Sequence, residues 1–234
     1  MNKIQIDLPE LIETPRLKLQ VPRAGFGQKL YQALSDGYED GIKWLNWSDT
    51  MPTADMLEEE CRIHHADFIL REFIRYLVIE KATNEVIGRC AFPAFQANWL
   101  IPQFGIAYFI RKNKRSKGYA TEAVHAMSLL AFRVLKAKKL EIYCEAENTA
   151  SKKIPLKLGF KHEYTQKGGW PRSDGKLAEL QTYSLFSVDD FILFFNGLCP
   201  SYRLTRSLFR NQMRKVCHPQ QAAQRLQLRS QFNK

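Results

Sequence analysis

Hydrophobic and polar residues alternate from position 139 to 147. Leu140, Ile142, Cys144 and Ala146 fall on one side, and Tyr143, Glu145 and Glu147 on the other. Period two over this length predicts a strand with one polar face. The run 105–110, Gly-Ile-Ala-Tyr-Phe-Ile, is short, apolar and rich in aromatic and branched residues, and predicts a buried strand. Between the two, Val124, Met127, Ala131 and Val134 recur three or four apart, the spacing of one helix face over 121–135. Upstream, the pattern predicts a strand at 16–22, a short helix at 28–35 and a longer helix at 54–73. That longer helix starts with acids, Asp55, Glu58 and Glu59, as a helix dipole favours. Residues 76–80 and 86–92 predict a hairpin turning at Thr83-Asn84. Asn148, Thr149 and Ser151 supply cap residues for a second late helix, closed by Gly159. Two stretches rich in turn-forming residues read as loops: 36–53, carrying Trp44 and Trp47, and 168–175, carrying Trp170. A last strand at 180–186 closes the series. A β-rich start followed by a β-α-β-α-β end predicts an α+β fold, with a mixed, mostly antiparallel central sheet and helices on both faces.

Between the 105–110 strand and the 121–135 helix lies Arg111-Lys-Asn-Lys-Arg-Ser-Lys-Gly-Tyr-Ala120. A loop that ends at a helix N-terminus presents unpaired N–H groups, and the helix dipole there favours an anion. Gly118 and Ala120 let an anion approach the backbone, and Lys114, Arg115 and Lys117 add positive charge. The natural ligand is a phosphate or pyrophosphate. The competing reading is a solvated basic loop. The pattern is neither a P-loop nor a dinucleotide fingerprint.

Three pieces together resemble the GNAT superfamily of acetyl-CoA-dependent N-acetyltransferases: Arg115-x-x-Gly118-x-Ala120-Thr-Glu-Ala123, Glu147-Asn-Thr-Ala-Ser151 and Lys157-Leu-Gly-Phe160. Thr14-Pro-Arg-Leu17, and Trp44-Leu-Asn-Trp47 before a Pro-Thr-x-Asp helix start, resemble the branch that acetylates ribosomal-protein N-termini. The resemblance runs in order from about residue 10 to 186. It implies a GNAT-like acyl-CoA N-acyltransferase fold and acetyl-CoA as co-substrate. It implies that the amides of Arg115, Ser116, Lys117, Gly118, Tyr119 and Ala120 hold the CoA pyrophosphate. Backbone groups of Tyr108, Phe109 and Ile110 would pair with the pantetheine arm, one of them polarising the acetyl carbonyl. Asn148 would bond the pantetheine end, or serve as a plain helix cap, or both. Ser151 matches the position of a serine proposed as proton donor to the departing thiolate. The chain departs from other relatives at Tyr143, where some carry a glutamate base, and at Pro155, where many carry an acid tyrosine. Glu145 shares a strand face with Tyr143. It would act as base through a water, or be an exposed strand glutamate. Trp44, Trp47 and Trp170 are the expected acceptor-binding residues, Trp170 as a lid or as a loop pin.

Composition separates a second element from this body. Of the 35 Lys and Arg, eight follow Asp190, where no Asp or Glu occurs, so that segment carries +8 of the net +11. In a helix over 202–217, Arg203, Arg206, Arg210 and Arg214 would fall within roughly an 80° stripe. Leu204, Leu208, Met213 and Val216 would lie opposite. The expected division is an acetyltransferase domain at 10–190 and a basic helical extension at 191–234. The extension docks on the body, or meets RNA, the ribosome or an anionic membrane surface, or supports a homodimer. Five cysteines at unrelated spacings point to unpaired thiols and a cytoplasmic setting. The N-terminal residues do not read as a signal peptide, and no run approaches the length of a membrane span. His64 and His65 would point about 100° apart on a helix, with no further ligands at usable spacing, so no metal is expected.

The function that follows is transfer of an acetyl group to a primary amine, a small molecule or a protein N-terminus, by direct attack in a ternary complex. Two alternatives stand beside it. One is an acetyl-CoA-binding module without catalysis, as Tyr143 and Pro155 allow. The other is an RNA- or ribosome-associated protein acting through its basic extension.

Overall fold

The computed structural model describes residues 2–172 and 174–187. The expected boundary at 190 and the basic helix at 202–217 lie outside the described residues. One extended run, 103 to 110, divides the β-structure in two. Its first half is β6 (Gln103–Gly105) and its second half β7 (Ala107–Ile110). β7 ends a sheet that also holds β1 (Leu11–Glu13), β2 (Leu17–Gln20), β3 (Ile74–Glu80) and β4 (Val86–Phe92), in the order β1-β2-β3-β4-β7. β6 belongs to a second sheet with β5 (Ala97–Asn98), β8 (Lys139–Glu145), β9 (Lys161–Pro171) and β10 (Leu177–Leu185), in the order β5-β6-β8-β10-β9. Among the described residues only β6 and β8 pair parallel; every other neighbouring pair is antiparallel. This is the expected α+β architecture.

Among the described residues five helices cover the sheets: α1 (Gly27–Ser35), α2 (Tyr38–Leu45), α3 (Ala54–Leu70), α4 (Tyr119–Arg133) and α5 (Thr149–Lys157). β3 shows how they divide. Tyr76 and Val78 enter the core that contains Val124, Met127 and Leu130 of α4. Leu77 and Ile79, pointing the other way, enter the core built on Leu30 and Leu34 of α1 and Leu57 and Cys61 of α3. A strand buried on both faces reads as a continuous apolar run rather than an alternating one, as Leu77–Ile79 does.

Three expectations are corrected. The loop expected at 36–53 contains α2. Gly41 is there for packing: a Cβ on it would lie 1.9 Å from the Trp47 ring, so the helix lets the indole lie against its backbone. The first half of the loop expected at 168–175 is strand, since β9 runs to Pro171 and pairs Trp170 with Ala178. Most of β9 is exposed, so no alternation of burial marks it in the sequence. Finally, Glu145 is not an exposed strand glutamate: it is 3% exposed, and Glu141 on the same face 4%.

Candidate functional site

The two sheets separate at Ile106. β6 runs beside β8 as far as the pair Gly105 and Glu141, and the Ile106 N–H still donates to the Glu141 carbonyl at 2.8 Å. β7 then turns away to pair with β4, matching Phe109 with Arg89 and Tyr108 with Cys90. The wedge left between β7 and β8 is a cleft of about 600 Å³. Tyr108, Phe109 and Ile110 line one wall, and Tyr143, Cys144 and Glu145 the other. The Arg111 N–H donates to the Ile87 carbonyl of β4 at 2.9 Å. Strand backbone alternates, so the main-chain groups of Phe109 also face β4, while those of Tyr108 and Ile110 face the cleft. Of the three residues expected to offer backbone to a ligand, Phe109 is therefore spent on the ladder.

At the head of the cleft stands the basic loop. Ser116 and Gly118 both have positive φ, 61° and 81°, which turns successive amides toward one side. The Arg115 N–H is occupied by the Lys112 carbonyl at 3.2 Å, which removes it from the expected anion-binding set. Among the described residues, no acceptor pairs with the N–H groups of Ser116, Lys117, Gly118, Tyr119, Ala120 or Thr121. The loop's side chains contribute less charge than expected. Arg115 is paired with Asp40 and donates to the Ile110 carbonyl at 2.8 Å. Lys114 is paired with Glu80 at 2.6 Å and Glu85 at 3.4 Å. Lys117 is exposed and has no ion pair among the described residues. The loop is braced from behind. Arg16 donates to the Lys117 carbonyl at 2.9 Å and to buried Glu122 at 2.7 Å, and Thr14 donates to the same carboxylate at 2.6 Å. Thus Thr14-Pro-Arg-Leu17 meets the loop in space, although Arg16 and Lys117 are 101 residues apart in sequence.

The first turn of α5 closes the cleft. Asn148 caps it, its Oδ1 accepting from the Ser151 N–H at 3.0 Å. The Ser151 hydroxyl lies 2.9 Å from the Tyr108 hydroxyl, which also reaches the Ser151 carbonyl at 3.2 Å. That second contact has a cause in the sequence. In a helix the Ser151 carbonyl would accept from residue 155, and Pro155 has no N–H to give. Tyr108 fills the vacancy from the opposite strand. Burial raises the Tyr108 hydroxyl well above the usual tyrosine range, so it stays protonated at neutral pH. The hydroxyl of Tyr143 is spent differently, donating to Glu141 at 2.6 Å. Burial and then that bond raise its pKa too, so it is not a base. Glu145 holds Arg172 by its Oε2, at 2.7 Å from Nε, and Arg172 also reaches Glu147 at 2.8 Å. The Glu145 Oε1 is buried and has no hydrogen-bond partner among the described residues. Cys144 lies beside it, its thiol pushed up to about 11 by burial.

A second cavity of about 230 Å³ opens from the same point and shares Tyr108, Tyr143, Glu145 and Ser151 with the cleft. Trp44, Trp47 and Trp170 all line it, so the structure brings the three expected tryptophans together. Trp47 packs 4.8 Å from Phe109 and 5.2 Å from Tyr38, centroid to centroid. Two arginines that sequence reading missed line it as well. Arg75 and Arg89 interrupt the apolar strands β3 and β4, and that interruption was the available signal. Both pair with Glu60 of α3, Arg89 at 3.0 Å. Burial alone would raise the Glu60 carboxyl. The bond to His64 and the two guanidinium charges outweigh it and hold the group down at about 2. Burial and the like charge of Arg89 pull Arg75 down to about 9, which still leaves it charged at neutral pH. Among the described residues, seven buried side-chain polar atoms have no hydrogen-bond partner. Four of them belong to residues lining this cavity: Arg75 Nε, Gln96 Oε1, Glu145 Oε1 and Trp170 Nε1. Such atoms are rare enough in native proteins that their gathering in one cavity marks a place for a polar ligand.

His64 bonds Asp67 at 3.2 Å, and among the described residues no group of three or more His, Cys, Asp or Glu is arranged to hold a metal. No helix among them is long and apolar enough to cross a membrane. Cys61, Cys90 and Cys144 are buried free thiols.

A family model described as "Acetyltransferase (GNAT) domain" matches residues 29–161, more than half the chain. An uncharacterized N-acetyltransferase, p20, of Bacillus licheniformis is 32% identical over 114 residues, 47% of this chain, and the match spans 61% of that relative's length. Among solved structures, the ribosomal L7/L12 alpha-N-protein acetyltransferase RimL in complex with coenzyme A aligns with TM-score 0.69 at 17% identity. It covers 76% of this chain and 98% of its own. The microcin C7 self-immunity acetyltransferase MccE, in complex with acetyl-CoA and AMP, aligns with TM-score 0.69 at 18% identity, covering 77% and 98%. At these identities the two structures speak for the fold alone.

Proposed function

The chain belongs to the GNAT acetyltransferase family, and from that premise we propose that it transfers an acetyl group from acetyl-CoA to a primary amine by direct attack in a ternary complex. The observation that carries this reading is the row of amides from Ser116 to Thr121, unpaired among the described residues, at the head of a cleft that ends on Ser151 and Glu145. A cradle of amides at a helix N-terminus suits a pyrophosphate. The cleft-facing backbone of Tyr108 and Ile110 suits an extended amide-bearing arm, taken up as an added strand.

Acetyl-CoA supplies the acetyl group as a thioester. The Tyr108 N–H polarises the acetyl carbonyl. The Glu145 Oε1 takes the proton that the amine must lose, directly or through one water, since among the described residues it alone of the cleft's carboxylate oxygens is buried without a partner. The Ser151 hydroxyl gives its proton to the sulfur as the carbon–nitrogen bond forms and the carbon–sulfur bond breaks, and regains one from solvent as Glu145 releases the amine's. The Tyr108 hydroxyl, bonded to Ser151 Oγ, holds the serine in position. Asn148 fixes the turn that aims Ser151. The test is release of CoA from acetyl-CoA over a panel of primary amines and N-terminal peptides. Turnover with at least one amine is expected. Binding of acetyl-CoA without turnover would favour the non-catalytic reading.

The basic segment after Asp190 supports a further part of the proposal. Its +8 charge suits an anionic partner such as RNA or the ribosome, outside the acetyl-transfer site.

A further inference from the structure

We infer that the tryptophan-lined cavity selects amine acceptors that carry an anionic group a few bonds from the amine, and that Arg75 and Arg89 hold that group. The inference rests on the acetyl-transfer reading and names the acceptor class for the same site.

The charges are arranged unevenly. Arg75 and Arg89 share one carboxylate, Glu60, and both contact the same oxygen of it, Oε1. Their side chains are only 12% and 16% exposed. Two guanidinium groups with one carboxylate leave a net positive charge at this end. A buried charge without a full complement is costly, and an anion relieves it. Each guanidinium carries five N–H donors, and Glu60 uses few of them. Among the described residues the Arg75 Nε has no hydrogen-bond partner. Aromatic rings fix both groups: Arg75 lies 4.6 Å from the Phe73 ring centre and Arg89 4.6 Å from that of Trp47. A planar, fixed guanidinium pair suits a carboxylate.

The other end has the opposite sign. There the acidic residue lining the cavity is Glu145, whose Oε2 holds Arg172 and whose Oε1 has no hydrogen-bond partner among the described residues. This is the end that adjoins Ser151 and the cleft. The cavity is thus negative where the amine must react and positive beyond it. An acceptor with an ammonium and a carboxylate matches both ends. A neutral monoamine leaves the arginines uncompensated, and a polyamine sets cation against cation. A volume of about 230 Å³ lies below the roughly 300–1,000 Å³ of drug-sized sites, and fits an amino-acid-sized group. A free amino acid and a chain N-terminus followed by an acidic residue share this chemistry.

The experiment uses the full chain and matched acceptors: phenylalanine against phenylalaninamide, and the C-terminally amidated tripeptides Ser-Glu-Ala against Ser-Gln-Ala. Initial rates at saturating acetyl-CoA should give the anionic member of at least one pair a kcat/KM about ten- to a hundredfold higher, the scale of a charge-assisted contact. Preference confined to the first pair assigns a free amino acid, and to the second a chain N-terminus. Arg89→Gln and Arg75→Gln should bring the ratio toward one while acetyl-CoA affinity, read by calorimetry, holds. Equal rates, or faster turnover of the neutral members, in the unaltered protein would overturn the inference and leave acetyl transfer standing. Where no acceptor turns over, the acetyl-transfer reading is what fails. Calorimetric titration of the same pairs without acetyl-CoA then decides the inference by itself, with equal binding of both members counting against it.

Discussion

Tyr108→Phe removes one oxygen and tests the link between Pro155 and the proton donor. The Tyr108 hydroxyl sits 3.2 Å from the Ser151 carbonyl and 2.9 Å from Ser151 Oγ. Because Pro155 cannot supply the helical N–H, the substitution leaves that carbonyl without its helical donor and without its substitute. Left unsatisfied, this part-buried acceptor costs at most what a fully buried one does, about 1–3 kcal/mol. At roughly 2–4 °C per kcal/mol for a domain of this size, Tm should fall by about 2–12 °C. Restoring an N–H with Pro155→Ala should recover about 1 kcal/mol more in the Tyr108→Phe background than in the parent. The cost of losing the proline ring is common to both backgrounds and cancels in the cycle. Activity should behave differently. Tyr108→Phe also unfastens the Ser151 hydroxyl, so kcat should drop about 10- to 100-fold, and Pro155→Ala should not restore it. Thermal denaturation and CoA-release kinetics on the four proteins read both effects. A Tm within about 1 °C of the parent in Tyr108→Phe, with no coupling to position 155, would refute the reasoning.

Three further outcomes are expected. Gly118→Ala places a Cβ at φ 81° and 3.3 Å from Arg16 Nη2, so it should cost about 1–2 kcal/mol of stability and weaken acetyl-CoA binding about tenfold by calorimetry; unchanged affinity would detach the loop from the site. Ser151→Ala should lower kcat about 10- to 1000-fold and leave acetyl-CoA affinity nearly intact, and an unaltered kcat would remove the hydroxyl from the mechanism. A chain ending at Gly197 should keep acetyl-CoA binding and lose any salt-sensitive RNA association of the full chain; loss of acetyl-CoA binding with the fold intact would make the basic segment part of the site.

Where burial follows a simple period, the sequence was readable. β8, α4 and the hairpin of β3 and β4 lie within a few residues of their expected places. The loop at Gly118 was readable because its glycine, its helix and its basic neighbours are contiguous. α2 was not, because Gly37 and Gly41 look like loop composition until Trp47 is seen packed on the second of them. β9 was not, because most of its residues are exposed and nothing alternates. Partnerships over long separations were also hidden. Nothing local says that Asp40 neutralises Arg115, that Arg172 buries Glu145, or that Tyr108 stands in for the N–H that Pro155 lacks. Side-chain identity was visible in each case, and its partner was not.

The central claim is that acetyl-CoA lies in the cleft between β7 and β8 with its pyrophosphate on the loop. Hydrogen–deuterium exchange of the full chain, with and without saturating acetyl-CoA, tests it directly. Among the described residues, the amides of 116–121 have no protein acceptor and should exchange quickly in the free protein. Strong protection of these amides is predicted on adding acetyl-CoA, together with those of Tyr108 and Ile110. Binding of acetyl-CoA that leaves 116–121 unprotected, with protection appearing elsewhere, would contradict it.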